Sequence, residues 1–214
     1  MKYILFDLDG TLVDSKLDLA NALNGAFEHF GLSRLPNEKI YSFVGGGVRK
    51  LIESSLEFVG ASDKFTQVFD YFLSHYHEHL LDHTKLYEGT EYVLSTLKNM
   101  GVKMFVVSNK SEIFTLRILE GLGIIHYFDE VVGGDTFPFK KPSPEPLLFI
   151  LNKYSAKKDE SLMVGDSEND IEAAKAADLK VAWVSYGFRG REILKRYKVD
   201  FVVDKPEDIL SCVL

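Results

Sequence analysis

With 214 residues, 46% of them hydrophobic and 27% charged, the chain is long enough for one complete core and a smaller appended unit. Its formal net charge of −7 at pH 7 excludes nucleic acid and anionic membranes as main partners, since both call for clustered Lys and Arg, while a small anionic ligand held by a local field stays admissible. The single Cys212 allows no internal disulfide, and no apolar stretch approaches the ~20 residues of a membrane span or has the form of a signal peptide, which fits a cytoplasmic protein.

Tyr3-Ile4-Leu5-Phe6 reads as a buried strand that runs into Asp7-Leu8-Asp9-Gly10-Thr11. Carboxylates so close together at the mouth of an apolar strand repel each other, and a cation, a shared proton or strong hydrogen bonds must offset the repulsion. After Thr11 the period changes. Leu19, Leu23, Phe27 and Phe30 recur at helical spacing, with Ser15 placed to cap the helix and Gly31 to end it. Further helices are predicted over Glu38 to Phe43, Val48 to Val59 and Ser62 to Leu81, with Gly45-Gly46-Gly47 and Gly60 as breaks. No strand is predicted between Val13 and Leu86, so residues 14–83 are expected to form a helical cap inserted after the first strand.

From Glu88 onward helix and strand alternate. Helices are predicted over Thr90 to Met100, Ser111 to Leu122, Pro144 to Tyr154 and Glu168 to Ala176; strands over Val102 to Val107, Glu130 to Val132, Ser161 to Val164 and Lys180 to Val184. This pattern predicts an α/β core of flavodoxin/Rossmann-like type, a parallel sheet covered by helices on both faces, built from residues 1–13 and 84–214. Ligands of such sheets bind beyond the carboxyl ends of the strands. The residues there are Asp7 and Asp9, Ser108 and Asn109, Gly133 to Asp135, and Gly165 to Asp170.

These positions carry complementary chemistry. Asp7 can serve as a nucleophile, and Asp9 as the acid that protonates a leaving alkoxide and later the base that activates water. Ser108 and Asn109 offer hydroxyl, amide and N–H donors to phosphoryl oxygens. Lys141, ahead of a proline-started helix, can neutralise both the nucleophile and the transferred group. Asp166 follows a strand and Asp170 lies on the next helical turn, where a capping-box-like pair of Ser167 and Asp170 is the competing reading. Asp7, Asp9, Asp166 and Asp170 against one ammonium sum to about −3 before a phosphate adds nearly −2 more. Mg²⁺ fits that deficit better than Zn²⁺, because the donors are oxygens and no Cys/His cage lies nearby.

Asp7-x-Asp9-Gly10-Thr11, Ser108-Asn109, Lys141-Pro142 and Gly165-Asp166-x-x-x-Asp170, in that order, resemble the four motifs of the haloacid dehalogenase superfamily along the whole chain. Within it, Asp14-Ser15, Val44-Gly45-Gly46-Gly47, Lys141-Pro142-Ser143-Pro144-Glu145-Pro146-Leu147 and the segment from Gly165 to Ala174 are similar to the phosphoglycolate phosphatase group. The resemblance implies a phosphoaspartate on Asp7 and acid/base work by Asp9. It also implies Mg²⁺ held by Asp7, the backbone carbonyl of Asp9 and Asp166, with Asp170 behind them or acting through water. Ser108 and Lys141 are expected to take part in the chemistry, and Gly10, Thr11, Asn109 and Arg49 to bind substrate. A small phosphomonoester is the implied substrate, 2-phosphoglycolate first. A phosphomutase, a pyrophosphatase or a 5′-nucleotidase of the same fold is an alternative, as is a non-catalytic receiver or ligand-binding module. Asp9 speaks against carbon–halogen cleavage, which needs no protonated leaving alkoxide.

Other features read more plainly. Gly45-Gly46-Gly47 lacks the third glycine of a dinucleotide fingerprint and reads as a flexible cap loop facing the site. Arg49 and Lys50 beyond it are candidates to receive a substrate carboxylate or second phosphate, against a competing reading as solvated helix charges. His75, His79 and His83 recur at i, i+4 and i+8 with His77 among them, but no Glu or Cys completes a site, so an exposed cap surface is expected. Asp178 stands where the end of a helix calls for positive φ. Oligomeric state stays open.

Overall fold

Ile4, Leu5 and Phe6 of β1 (Tyr3–Phe6) are fully buried at the centre of a parallel sheet in the structure, a computed structural model that describes residues 1–213. β1 lies between β4 (Lys103–Val107) and β6 (Ser161–Gly165). β5 (Glu130–Val132) extends the sheet on one side, β7 (Lys180–Val184) and β8 (Phe201–Val203) on the other, in the order β5-β4-β1-β6-β7-β8. Each pairing in this sheet is parallel.

Side chains alternate across the sheet, so Ile4 and Phe6 join one apolar cluster and Leu5 the other, with Phe105, Met163 and Trp183. Both faces are covered, and this is why the strands read as unbroken apolar runs. The crossovers run through α5 (Thr90–Asn99), α6 (Glu112–Gly121), α7 (Glu145–Lys153) and α8 (Glu168–Ala176). Successive strands extend away from β1 first towards β5 and then towards β8, and the crevice for a ligand opens where the direction reverses.

Beyond Asp7 the chain leaves the parallel sheet and returns to it only at β4, after α5. Here the structure departs from expectation: β2 (Val13–Asp14) pairs antiparallel with β3 (Lys85–Leu86), at the ends of the span where no strand was predicted. Two-residue strands carry no hydrophobic period, so nothing local announces them. Between them lie α1 (Lys16–His29), α2 (Asn37–Phe43), α3 (Val48–Val59) and α4 (Phe65–His79). Leu19, Leu23 and Phe27 of α1 are buried, as their spacing predicts, in one core with Val68, Phe72 and Tyr76 of α4. The expected helix from Ser62 opens instead with a 3₁₀ turn over Ser62–Lys64 before α4 begins. Buried Asp18 on the first turn of α1 accepts hydrogen bonds from the backbone N–H groups of His83 (2.9 Å) and Thr84 (2.8 Å) and from the Thr84 hydroxyl (2.8 Å), which ties the outgoing chain to the returning one.

β8 and the terminal α9 (Ile209–Val213) were not foreseen. β8 is a short edge strand with Val202 exposed, so it lacks the signature of the central strands. Asp178 has φ +61°, the left-handed turn its position called for. Among the described residues no helix is long and apolar enough to cross a membrane.

Candidate active site

The ends of β1, β4 and β6 converge. Asp7 continues the sheet, its N–H bonded to the Val164 carbonyl (2.9 Å), and its Oδ1 accepts the N–H of Leu8 (2.8 Å). Lys141 is buried with its Nζ 3.0 Å from Asp7 Oδ1 and 2.6 Å from Asp170 Oδ1. The other Asp170 oxygen takes the N–H (2.9 Å) and hydroxyl (2.7 Å) of Ser167. Both readings of Asp170 therefore meet in one residue: it caps α8 and it anchors Lys141.

Asp7, Asp166 and Asp170 can each bring one carboxylate oxygen within 4.8 Å of the others. Burial, with Asp170 and Asp9 nearby, pushes Asp7 up to about 7 against the pull of Lys141. Burial pushes Asp166 well above the carboxylate range, helped by Asp170 and Asp7 and opposed by the N–H of Phe188, which donates to Asp166 Oδ2 (2.6 Å). Lys141 is disfavoured as a cation by burial, yet Asp170 and Asp7 more than restore it and its pKa is raised. One ammonium does not balance this group, and a hard divalent cation suits its oxygens. Gly10 makes the approach possible: at φ +83°, a Cβ there would lie 2.4 Å from Asp166 Oδ2.

Asp9 faces a different set of partners. Its Oδ1 accepts from the Ser15 hydroxyl, and its Oδ2 lies 3.1 Å from Lys110 Nζ. Ser15 sits at the position preceding α1, but its hydroxyl serves Asp9 and makes no capping hydrogen bond, which corrects the expectation of a helix cap. Lys110 also donates to the Tyr76 hydroxyl on α4 (2.7 Å). Burial works against the Lys110 charge, but Asp9 and Tyr76 outweigh it and its pKa is raised.

Lys110 and Tyr76 escaped the sequence reading. Lys110 follows Ser108-Asn109 directly, and that adjacency to a strand end was its one local signal. Tyr76 continues the buried spacing of Val68 and Phe72 and so reads as core.

Ser108 is buried at the end of β4, its Oγ accepting the N–H of Lys110 (3.2 Å). The Asn109 amide donates to the carbonyls of Lys141 (2.8 Å) and Gly45 (3.0 Å). Thr11 is buried and lines a separate small pocket with Phe6, Leu12 and Thr90 rather than the cleft beside Asp7, and among the described residues its hydroxyl has no partner.

The Val44–Gly47 loop is gripped from the sheet side. Asn169 also donates to the Gly45 carbonyl (3.2 Å), Lys140 to Gly46 (2.7 Å) and Arg189 to Val44 (2.5 Å). Gly47, at φ +84°, lets the loop settle on the Asn109 carbonyl, which a Cβ would meet at 2.8 Å.

Between loop and sheet lies a narrow cleft with about 30 Å³ of room for water. Asp7, Asp9, Ser108, Asn109 and Lys110 line one side; Leu19, Val44, Gly45, Gly47, Val48 and Leu51 line the other. Arg49 is not brought to this cleft. Its guanidinium lies 3.8 Å from Glu53 and over the rings of Phe65 and Phe69. Of the histidines, half-buried His75 lies tilted against His79, and His79 pairs with Asp82 (2.8 Å). Among the described residues no histidine belongs to a three-ligand group able to converge on one ion.

The sequence profile of the haloacid dehalogenase-like hydrolases matches residues 4–184. The phosphoglycolate phosphatase of Aquifex aeolicus is 41% identical over 212 residues, covering 99% of this chain and 96% of its own. That of Chromobacterium violaceum is 41% identical over 192 residues, covering 88% and 86%. The crystal structure of a predicted phosphoglycolate phosphatase from Haemophilus somnus superposes with a TM-score of 0.95 at 32% identity, over 100% of this chain and 98% of that one. A buried carboxylate trio at the strand ends of a parallel sheet, a second acid beside it and near full-length similarity to these proteins agree: the chain belongs to the haloacid dehalogenase-like hydrolase family.

Proposed function

We propose that the protein is a Mg²⁺-dependent phosphatase of small phosphomonoesters, with 2-phosphoglycolate as its substrate, working in the cytoplasm through a phosphoaspartate on Asp7. The observation that carries this reading is the split between two neighbouring acids: Asp7 lies with Lys141 in the carboxylate trio, whereas Asp9 lies apart with Ser15 and Lys110. The names of the relatives from Aquifex aeolicus and Chromobacterium violaceum supply the substrate.

In this mechanism an Asp7 oxygen attacks phosphorus while the bond to the ester oxygen breaks, and Asp9 gives its proton to the departing alkoxide. Asp9 then takes a proton from water as that water attacks the phosphoaspartate, which frees phosphate and restores Asp7. Ser108 and the backbone of Asn109 hold phosphoryl oxygens, with Lys141 as the fixed positive charge. Gly10 lets Asp166 approach, and Thr11 follows it in the same buried turn. Asp7, Asp166 and the Asp9 carbonyl would hold Mg²⁺, with Asp170 behind, and the ion would offset the charge gathered on carboxylates and phosphoryl oxygens. Residues 14–83 act as a cap on a core of residues 1–13 and 84–214. β2 and β3 form its stalk, and closure excludes bulk water.

Rates across 2-phosphoglycolate, nucleoside monophosphates, sugar phosphates and pyrophosphate test the substrate. The highest kcat/KM is expected for 2-phosphoglycolate, and a clear preference for any other ester would replace it. Steady phosphate release with no isomerised product is expected and separates hydrolysis from mutase action.

The metal is tested by its pH dependence. Asp7, pushed up to about 7, and Asp166, pushed higher than an ordinary carboxylate, must shed protons to bind a cation. Apparent Mg²⁺ affinity should therefore strengthen as pH rises through 7, and EDTA should abolish turnover until Mg²⁺ is restored. Equal Mg²⁺ titrations at pH 6 and pH 8 would contradict this assignment.

A further inference from the structure

Two lysines are buried at the site, and one of them lines the cleft. Lys141 sits among Asp7 and Asp170 and does not line the cleft. Lys110 lines it at 4% exposure, beside Asp7 and Asp9. An ammonium has three donors. Among the described residues, Asp9 at 3.1 Å and the Tyr76 hydroxyl at 2.7 Å are the acceptors found for Lys110, which leaves one donor for the cleft. The Tyr76 phenol is pushed up to about 12 by burial against the opposing pull of Lys110, so it stays a neutral hydroxyl.

Among the described residues the opposite wall offers no rival charge. Leu19, Val44, Val48 and Leu51 are apolar, and Arg49 is engaged with Glu53, Phe65 and Phe69. Among the described residues that line the cleft, a ligand whose phosphoryl group reaches Asp7 beside Lys141 thus meets one further cation, Lys110.

We infer that Lys110, backed by Tyr76 from α4, is the receptor for a carboxylate carried by the substrate within a carbon or two of its phosphoester oxygen. The inference rests on the phosphatase reading and adds the group that selects the substrate. A small 2-phosphorylated hydroxy acid satisfies both ends of the cleft. A sugar phosphate or a nucleotide presents neutral hydroxyls to the same ammonium and leaves its third donor without a charged partner. Because Tyr76 belongs to the inserted helices, the carboxylate would also join those helices to the sheet through Lys110.

The test compares kcat/KM for 2-phosphoglycolate with that for its carboxamide, 2-phosphoglycolamide, which keeps the shape and loses the charge. Wild-type protein with Mg²⁺ should prefer the acid by about 10- to 100-fold, the range of a hydrogen bond to a charged group. In Lys110→Met that ratio should collapse towards unity, chiefly through KM for the acid, and Lys110→Arg should recover most of it. The wild-type ratio needs no substitution, so a poorly folded variant does not remove the test. Equal turnover of acid and amide by wild type, or an unchanged ratio in folded Lys110→Met, would overturn the receptor and leave the phosphatase standing. Turnover of neither ester would remove the phosphoglycolate reading and the receptor with it.

Discussion

Asp7→Asn is expected to abolish phosphate release, with a loss on the order of 10⁴-fold or more in kcat, while the protein still folds. The carboxamide has nearly the same shape but cannot serve as the attacking oxygen, so no acyl phosphate forms. Folding is spared for an electrostatic reason. Burial and the neighbouring Asp170 already work against the Asp7 charge, and Lys141 keeps Asp170 at 2.6 Å as its partner when Asp7 is neutral. Thermal melting of the metal-free variant should therefore match or exceed that of the wild type. Intact-mass measurement after mixing with substrate should find a phosphorylated form only where Asp7 is present. Wild-type turnover by the Asn variant would eliminate the covalent route.

Asp9→Asn is expected to slow turnover of alkyl phosphoesters by about 10²- to 10⁴-fold, the range of general acid–base catalysis. The two half-reactions should respond differently to the leaving group. An aryl phosphate departs without a proton, so its first step should survive the substitution. The second step still needs a base for water, and phosphoenzyme should accumulate. Single-turnover measurements on alkyl and aryl esters separate these cases. An equal loss in the first step for both esters would show that Asp9 acts on something other than the leaving oxygen.

Much of this site was legible because parallel sheets translate sequence into position simply. Tyr3–Phe6 is apolar without interruption since both faces are covered, and the residue that follows such a strand must lie at the sheet's edge. That rule reached Asp7, Ser108 and Asp166 without knowledge of any contact. It could not reach Tyr76, which meets Lys110 across 34 residues and two structural layers, and whose spacing is that of an ordinary core residue. Arg189 lay beyond it too, because its partner is the Val44 carbonyl, and backbone groups leave no mark in a sequence. Ser15 was read through local helix logic, whereas the nearby Asp9 carboxylate made the stronger claim on its hydroxyl.

The grip on the Val44–Gly47 loop has a consequence for how such a site changes over time. Asn109, Asn169, Lys140 and Arg189 hold it by the carbonyls of Val44, Gly45 and Gly46, and a peptide carbonyl is the same group whatever side chain stands beside it. Val44, Val48 and Leu51 can therefore vary in size and polarity while the loop stays fastened. A lineage, or an engineer, can retune what the cleft accepts without relearning how to shut it.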